Sequence, residues 1–201
     1  MSKFDSVAKN WDAEQKKTNE ARKIFKHIRK QIKLNKKMTV ADIGSGTGLL
    51  TMQLVPFVKS IHGYDNSKGM LTELDKKIEH QKCKSCKTIL FDADINELPA
   101  NKYDLIVSSM TFHHITDIDT FAEKMYKSIK AGGQFAIGDI ETEDGSFHSN
   151  NSEVKHFGFE PEKFKTHFSK AGFSDITTER LFTVEQNEKK YFIFLTSGRK
   201  K

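Results

Sequence analysis

Val40-Ala41-Asp42-Ile43-Gly44-Ser45-Gly46-Thr47-Gly48 is the stretch on which the fold turns. A short apolar run over 39–43 reads as a strand, three alternate glycines follow, and a helix-like stretch occupies 49–58. A second strand over 60–65 then ends in an acidic residue, so the unit is strand, helix, strand. Glycines at the hand-over remove side chains from a turn that a ligand's backbone-hugging phosphate or ribose must approach. Taken alone they also fit a plain tight turn, and the next acidic residue decides between the two. Asp65, in Gly63-Tyr64-Asp65-Asn66, closes the second strand at the carboxyl edge of the sheet. A carboxylate there accepts hydrogen bonds from both hydroxyls of a ribose. A nicotinamide dinucleotide site would need glycine or alanine at Leu49, and here the third glycine falls one residue early.

Outward from that unit the alternation continues. Upstream, Ala21, Ile24, Phe25, Ile28 and Ile32 recur at helical spacing within 19–32. Downstream, Met70, Leu71, Leu74 and Ile78 share one face of a helix over 67–80, and 87–94 and 103–110 read as strands. A helix over 118–129 is expected to end at Ala131-Gly132-Gly133, before a strand over 134–140. Pro161 opens a helix over 162–171, and 176–184 pairs with 191–197 as a terminal hairpin joined by the polar segment 185–190. The pattern predicts an α/β fold: a Rossmann-like open sheet of about seven strands, helices on both faces and the last strand antiparallel. One domain over 1–201 is expected, divided into a lid and helix (1–37), a cofactor-binding core (38–140) and a substrate loop with terminal strands (141–201). The irregular segment 141–160 is long for a plain connection, and loops of that length often carry function.

A chain of 201 residues that is 36% hydrophobic and 30% charged buries a core beneath a polar surface. Its formal charge of +6 is spread over the chain, which favours solubility over a nucleic-acid patch. Cys83 and Cys86 are the only cysteines, too few for a disulfide framework, and no run reaches membrane-spanning length. Both features lead to the expectation of a cytoplasmic protein with no membrane partner. His80, Cys83 and Cys86 offer three neighbouring ligands where structural zinc takes four, so no metal is expected.

With its glycines and acidic partner in place, Asp42-Ile43-Gly44-Ser45-Gly46-Thr47-Gly48 resembles the first motif of class I S-adenosylmethionine-dependent methyltransferases. Later segments resemble the family in its order. Phe91-Asp92-Ala93-Asp94-Ile95-Asn96-Glu97-Leu98-Pro99 is similar to the adenine-holding segment, Tyr103-Asp104-Leu105-Ile106-Val107-Ser108-Ser109-Met110 to the fourth strand, and Ile129-Lys130-Ala131-Gly132-Gly133 to the turn before strand five. The resemblance runs from Phe4 to about Ile140 and is specific as a set. It implies S-adenosylmethionine as cofactor and S-adenosylhomocysteine as product. It also implies that Gly44, Ser45, Gly46 and Gly48 shape the loop under the methionine moiety, while Asp42 supports its ammonium through that loop. Asp65 would hold the ribose, Asn66 and Met70 flank the adenine, Asp94 and Ile95 meet its amine and ring, and Ser109 completes the cofactor set.

Methyl transfer from a sulfonium is an in-line displacement, so the acceptor must be aligned about 3–3.5 Å from the methyl carbon and shielded from water. An acceptor that must lose a proton needs a base, and His113 and His114, just past the fourth strand, stand at the expected mouth. Phe4 and Trp11 belong to a segment resembling the family's N-terminal lid. Asp139, the acidic run to Asp144, and then His148 and His156 complete the acceptor candidates, a set that suits a cationic acceptor. A small molecule is the favoured partner. An RNA or protein side chain is the alternative acceptor, a non-catalytic S-adenosylmethionine-binding protein the alternative function, and oligomeric state is left open. Amino-methylating DNA enzymes share an (Asn/Asp/Ser)-Pro-Pro-aromatic loop, whereas Pro56, Pro99 and Pro161 all stand apart from one another.

Overall fold

A seven-stranded sheet runs in the order β3 (Cys86–Leu90), β2 (Ser60–Asp65), β1 (Thr39–Ile43), β4 (Tyr103–Ser109), β5 (Ile129–Ile140), β7 (Lys189–Arg199) and β6 (Ser174–Gln186), with β1 third from one edge. The computed structural model describes residues 3–186 and 188–201. Met1 and Ser2 at the head of the expected lid, and Asn187 in the hairpin connection, lie outside the described residues. On one side β1 pairs in parallel with β2 (Ser60–Asp65), which pairs with β3 (Cys86–Leu90). On the other it pairs with β4 (Tyr103–Ser109), followed by β5 (Ile129–Ile140). The chain order therefore reverses at β1, and in open α/β sheets the ligand crevice lies outside the carboxyl ends of the strands at such a point. Strands β6 (Ser174–Gln186) and β7 (Lys189–Arg199) form the terminal hairpin, with β7 antiparallel to both β5 and β6. This is the Rossmann-like sheet the alternation predicted.

Helices cover both faces because each has one apolar stripe to bury. After the short helix α1 (Lys3–Val7), α2 (Gln15–Gln31) inserts Ile24 and Ile28 on one face among Val40, Leu105, Val107 and Ala136, joined by Leu54 of α3 (Thr51–Leu54). On the other, α5 (Ile118–Ser128) and α6 (Pro161–Lys170) bring Phe121, Phe164 and Phe168 against Phe135 and Phe194. The Phe135 and Phe168 rings stack at 4.5 Å between centroids. Each such side chain contributes about 1.5–3 kcal/mol by leaving water, which fixes the face under the carboxyl end of β4. Helix α4 (Lys68–His80) starts where Ser67 accepts the Met70 amide as N-cap, and Leu74 lies over the bare backbone of Gly63.

Several boundaries differ from the expected ones for local reasons. The helix expected over 49–58 contracts to α3 and a 3-10 turn, Val55–Phe57, because Pro56 has no amide to continue the α-helical ladder. The strand expected over 87–94 stops at Leu90, since Asn96 folds back to receive the Asp92 amide on its side-chain oxygen at 2.7 Å. Helix α5 ends at Ser128, before the glycines rather than at them. Gly132 and Gly133 lie inside β5, where the Gly132 amide donates to the Lys200 carbonyl at 2.9 Å. The two cysteines are bonded to each other across the turn into β3, with Cα atoms 5.8 Å apart. The cysteine pattern thus gives one short cross-link and no argument about compartment. Among the described residues no helix is long and apolar enough to cross a membrane.

Candidate active site

The glycine loop folds over the end of β2, where the Gly44 and Ser45 amides donate to the Tyr64 carbonyl at 2.8 and 3.0 Å. That path needs left-handed backbone at Gly44 (φ +68°), and a Cβ there would fall 2.1 Å from Thr111 Oγ1. The path therefore admits only glycine. Asp65 ties the loop to β2: its Oδ2 accepts the Gly46 amide at 2.8 Å and its Oδ1 the Ser67 amide at 2.9 Å. Burial raises the Asp65 carboxyl, and those two amides pull it back. A carboxylate has about four lone-pair positions, so Asp65 keeps capacity for a ligand beside these amides. Asp42 is buried beneath the loop and accepts Thr51 Oγ1 at 2.6 Å. Burial lifts it to about 7, opposed by the Thr51 hydrogen bond and assisted by the neighbouring Asp65 charge.

Beyond β4 the chain turns through Met110, a non-glycine residue at φ 56° whose amide donates to the Gly138 carbonyl at 2.8 Å. The 3-10 turn Phe112–His114 follows. Asp139, on β5 and wholly buried, accepts the Phe112 amide at 2.8 Å and faces His113 Nδ1 at 2.7 Å. Burial pushes the Asp139 carboxyl up, but the charge and hydrogen bond of His113 and the Ile140 amide outweigh it and hold the group below the usual carboxylate value. An ionised Asp139 has no proton to give, so His113 carries its proton on Nδ1 and turns Nε2 outward. His148 Nε2 stands 3.1 Å from His113 Nε2. His114 Nδ1 meets the Glu153 carbonyl at 2.8 Å and therefore donates to it. Burial, aided by His113, lowers His114 to about 3, and the same pair of causes lowers His148 to about 4, so both are neutral near pH 7.

Segment 141–160 delivers His148. It is pinned to the turn because the Lys155 and His156 amides both donate to the His113 carbonyl, at 2.9 and 3.1 Å. The N-terminal segment closes over the same space. Asp5 accepts Ser67 Oγ at 2.7 Å and the Gly69 amide at 2.8 Å, while Asp12 accepts Thr47 Oγ1 at 2.5 Å and pairs with Lys77. Phe4 meets Trp11 and His114 edge-on, at 5.8 and 5.3 Å, and Lys17 Nζ lies 3.3 Å over the Trp11 ring.

These elements enclose one cavity of about 750 Å³, within the range of small-molecule sites. Of the residues expected from sequence, Asp42, Gly44, Ser45, Gly46, Asp65, Asn66, Met70, Asp94, Ser109, His113, His114, Phe4, Trp11 and His148 line it. Four do not. Gly48 is a turn residue packed under Leu74, whose Cδ1 would lie 2.3 Å from an added Cβ. Ile95 is 74% exposed, because the Asp92–Asn96 turn swings it outward. Asp139 reaches the cavity only through His113, and His156 gives Nε2 to the Ile115 carbonyl at 2.9 Å. The acidic residues after Asp139 lie outside this cavity, where Glu141 pairs with Arg180 and Asp144 with Lys189.

The sequence reading missed Glu20, Tyr64, Phe91, Met110 and Thr111 on the cavity wall. Glu20 sits on the α2 face beside Ala21 and Ile24, and a carboxylate on the rim of an apolar stripe was the available signal. Its Oε1 is buried without a hydrogen-bond partner, as is Ser45 Oγ, and a Cβ on Gly46 would meet nothing within 4 Å. Orphaned acceptors and a bare, open stretch of backbone fit a polar ligand that runs along the loop to Asp65.

Residues 34–191 match the sequence model of the methyltransferase domain. An uncharacterised methyltransferase from Schizosaccharomyces pombe is 29% identical over 153 residues, 69% of this chain and 54% of that protein. A malonyl-[acyl-carrier protein] O-methyltransferase from Priestia megaterium is 32% identical over 125 residues, 61% of this chain and 43% of that one. The chain thus spans about half the length of these curated relatives. In fold it matches Haemonchus contortus phosphoethanolamine N-methyltransferase 2, solved with S-adenosyl-L-methionine, at a TM-score of 0.72 and 19% identity over 88% of this chain and 52% of that one. With a switch-point crevice, a glycine loop bound to Asp65 and a domain match over most of its length, the chain belongs to the methyltransferase-domain family, on the class I S-adenosylmethionine-dependent fold.

Proposed function

We propose that this protein binds S-adenosylmethionine along the glycine loop and catalyses transfer of its methyl group to a small-molecule acceptor held against His113, His114 and His148. The observation that carries the reading is the continuity of one cavity from Gly46 and Asp65 to those histidines. When bound, the cofactor supplies a methyl group made electrophilic by its sulfonium. The free lone pairs of Asp65 accept from the ribose hydroxyls, and Asn66, Met70 and Asp94 border the adenine. Glu20 and Ser45, with their unpartnered oxygens, receive the ammonium end. Asp42 acts from beneath by holding Thr51 and the start of α3. Phe4 and Trp11 exclude water at the other side, which strengthens the alignment that an in-line transfer depends on.

The acceptor end supports a compact substrate. It is bounded by the lid and by segment 141–160, and the names of two similar proteins specify a malonyl group on a carrier protein and phosphoethanolamine as acceptors. The first test is calorimetric titration with S-adenosylmethionine and S-adenosylhomocysteine, repeated on Asp65→Ala, followed by an acceptor screen read as S-adenosylhomocysteine release. Saturable binding that the variant loses, with turnover on a small acceptor, supports the reading. Turnover only on RNA or protein would move the acceptor class, and binding without turnover on any class would leave a sensor rather than an enzyme.

A further inference from the structure

We propose that His113, His114 and His148 bind one divalent first-row transition-metal cation, of the zinc type, at the acceptor end of the cavity. His80, Cys83 and Cys86 cluster in sequence, but the two cysteines are bonded to each other. Three imidazoles from two separate segments converge instead, each offering one ring nitrogen, and these nitrogens all lie within 4.8 Å of one another.

The tautomers are set for ligation. The Asp139 carboxyl group lies 2.7 Å from His113 Nδ1, and the Glu153 carbonyl accepts from His114 Nδ1 at 2.8 Å. In the neutral ring each such bond leaves the lone pair on Nε2, the nitrogen a metal would take. Metal-bound histidines are oriented by this kind of outer partner, a carboxylate or a backbone carbonyl on the far nitrogen. His113 Nε2 and His148 Nε2 already stand 3.1 Å apart. Tetrahedral bonds of about 2.0–2.1 Å place ligand nitrogens about 3.3 Å from each other, so this pair needs almost no adjustment. The third nitrogen closes by movement on the order of 1 Å, from the 4.8 Å bound toward that spacing.

Three protein ligands leave a fourth position, the arrangement of catalytic rather than structural zinc sites. All three histidines line the cavity, so a ligand in the cavity would be within reach of that position. Resting on the methyl-transfer reading, this makes the favoured acceptor one whose heteroatom ligates metal, such as a thiol or an enol. The binding site itself does not depend on that reading.

The test uses the full chain, stripped with chelator and kept under mild reductant, titrated with Zn²⁺ alone by calorimetry and with Co²⁺ alone by visible absorption. The expected result is one site with micromolar or tighter affinity and a cobalt spectrum of low coordination number. His148→Gln, on a surface loop, should weaken binding at least tenfold, and His156→Gln should leave it unchanged. Cys83→Ser should also leave it unchanged. Absence of saturable binding, or binding lost in Cys83→Ser and kept in His148→Gln, would overturn the proposal. S-adenosylmethionine titrated into the same metal-free protein separates the two readings: cofactor binding without zinc binding sinks the metal site alone, and the converse sinks the cofactor reading alone.

Discussion

The cavity has two ends that are built in different ways. At the cofactor end, Asp42, Gly44, Ser45 and Gly46 are contiguous, and Asp65 arrives on the neighbouring parallel strand, in register with β3 and held to the loop by the Gly46 amide. At the acceptor end, His113 comes from a turn after β4, Asp139 from β5, and His148 and Glu153 from an irregular segment that follows. The first end is a property of one strand-loop-helix unit. The second exists only once three parts of the chain have docked, so a change in any one of them should be felt by the others.

The largest expected effect tests the cofactor end. Asp65→Ala removes the proposed acceptor of two ribose hydrogen bonds, and bonds to a charged group are worth about 1.5–3 kcal/mol each. Cofactor affinity should fall on the order of 100-fold or more by calorimetry. Asp65→Asn, which still accepts one of the Gly46 and Ser67 amides, should fold as the wild type does and recover part of the loss. Equal affinity in wild type and Asp65→Ala would end the distinction between the two regions, because the cofactor would then have to bind elsewhere.

Next in size is Asp139→Asn. The amide offers a donor to His113 as readily as an acceptor, so the imidazole is free to reverse its tautomer. Turnover should drop about 10–100-fold, as for other outer partners of functional histidines, while cofactor affinity changes little. Nitrogen chemical shifts of the His113 ring should show the proton leaving Nδ1, a signature that general destabilisation does not produce. If cofactor affinity fell in parallel with turnover, the two ends would be one cooperative unit.

The lid spans both ends and should respond more weakly. Asp12→Ala removes the bond from Thr47 Oγ1 and the pair with Lys77, which together restrain a partly exposed segment. Solvent-exposed pairs of this kind are worth about 0.2–1 kcal/mol each, so cofactor dissociation followed by stopped-flow fluorescence of Trp11 should speed up about threefold to tenfold. An unchanged rate would show that Phe4 and Trp11 close the cavity without help from the loop.

The same contrast explains what sequence reading reached. Strand β1, β2 and the cap of α4 follow from short-range pattern, and their bounds come out within a residue. Local reading went astray where a nearby side chain redirected the backbone. Ile95 follows a strand-like run, yet the Asn96 bond to Asp92 turns it into solvent. Asp139 and His156 were grouped with His148 by proximity in the chain, but whether such a residue faces a cavity depends on pairings over long separations. The Asp139 bond to His113 spans 26 residues and the His113–His148 contact 35. No periodicity carries that information. Glu20 was hidden for the opposite reason, since it occurs in a well-defined helix whose stripe was read for packing alone.

The smallest effect tests the charge beneath the glycine loop. Asp42 is fully buried, and its folded value of about 7 lies above the ordinary 3.8. A raised carboxyl binds its proton in the folded state at a pH where the unfolded chain has already released it, so stability rises as pH falls from about 7 toward 3.8. The maximum slope for one group is about 1.4 kcal/mol per pH unit, and other groups of the protein oppose it as they titrate. Comparison with Asp42→Asn therefore isolates the effect, because the amide keeps an acceptor for Thr51 and cannot titrate. Urea midpoints measured from pH 8 down to pH 5 should show the wild type gaining on the variant below about pH 7 and running parallel to it above. Parallel curves throughout would mean that Asp42 stays ionised beneath Gly44 and Ser45. The cofactor end would then carry two negative charges, Asp42 buried and Asp65 at the rim, and the pull on a cationic ligand would come from beneath the loop as well as from its rim.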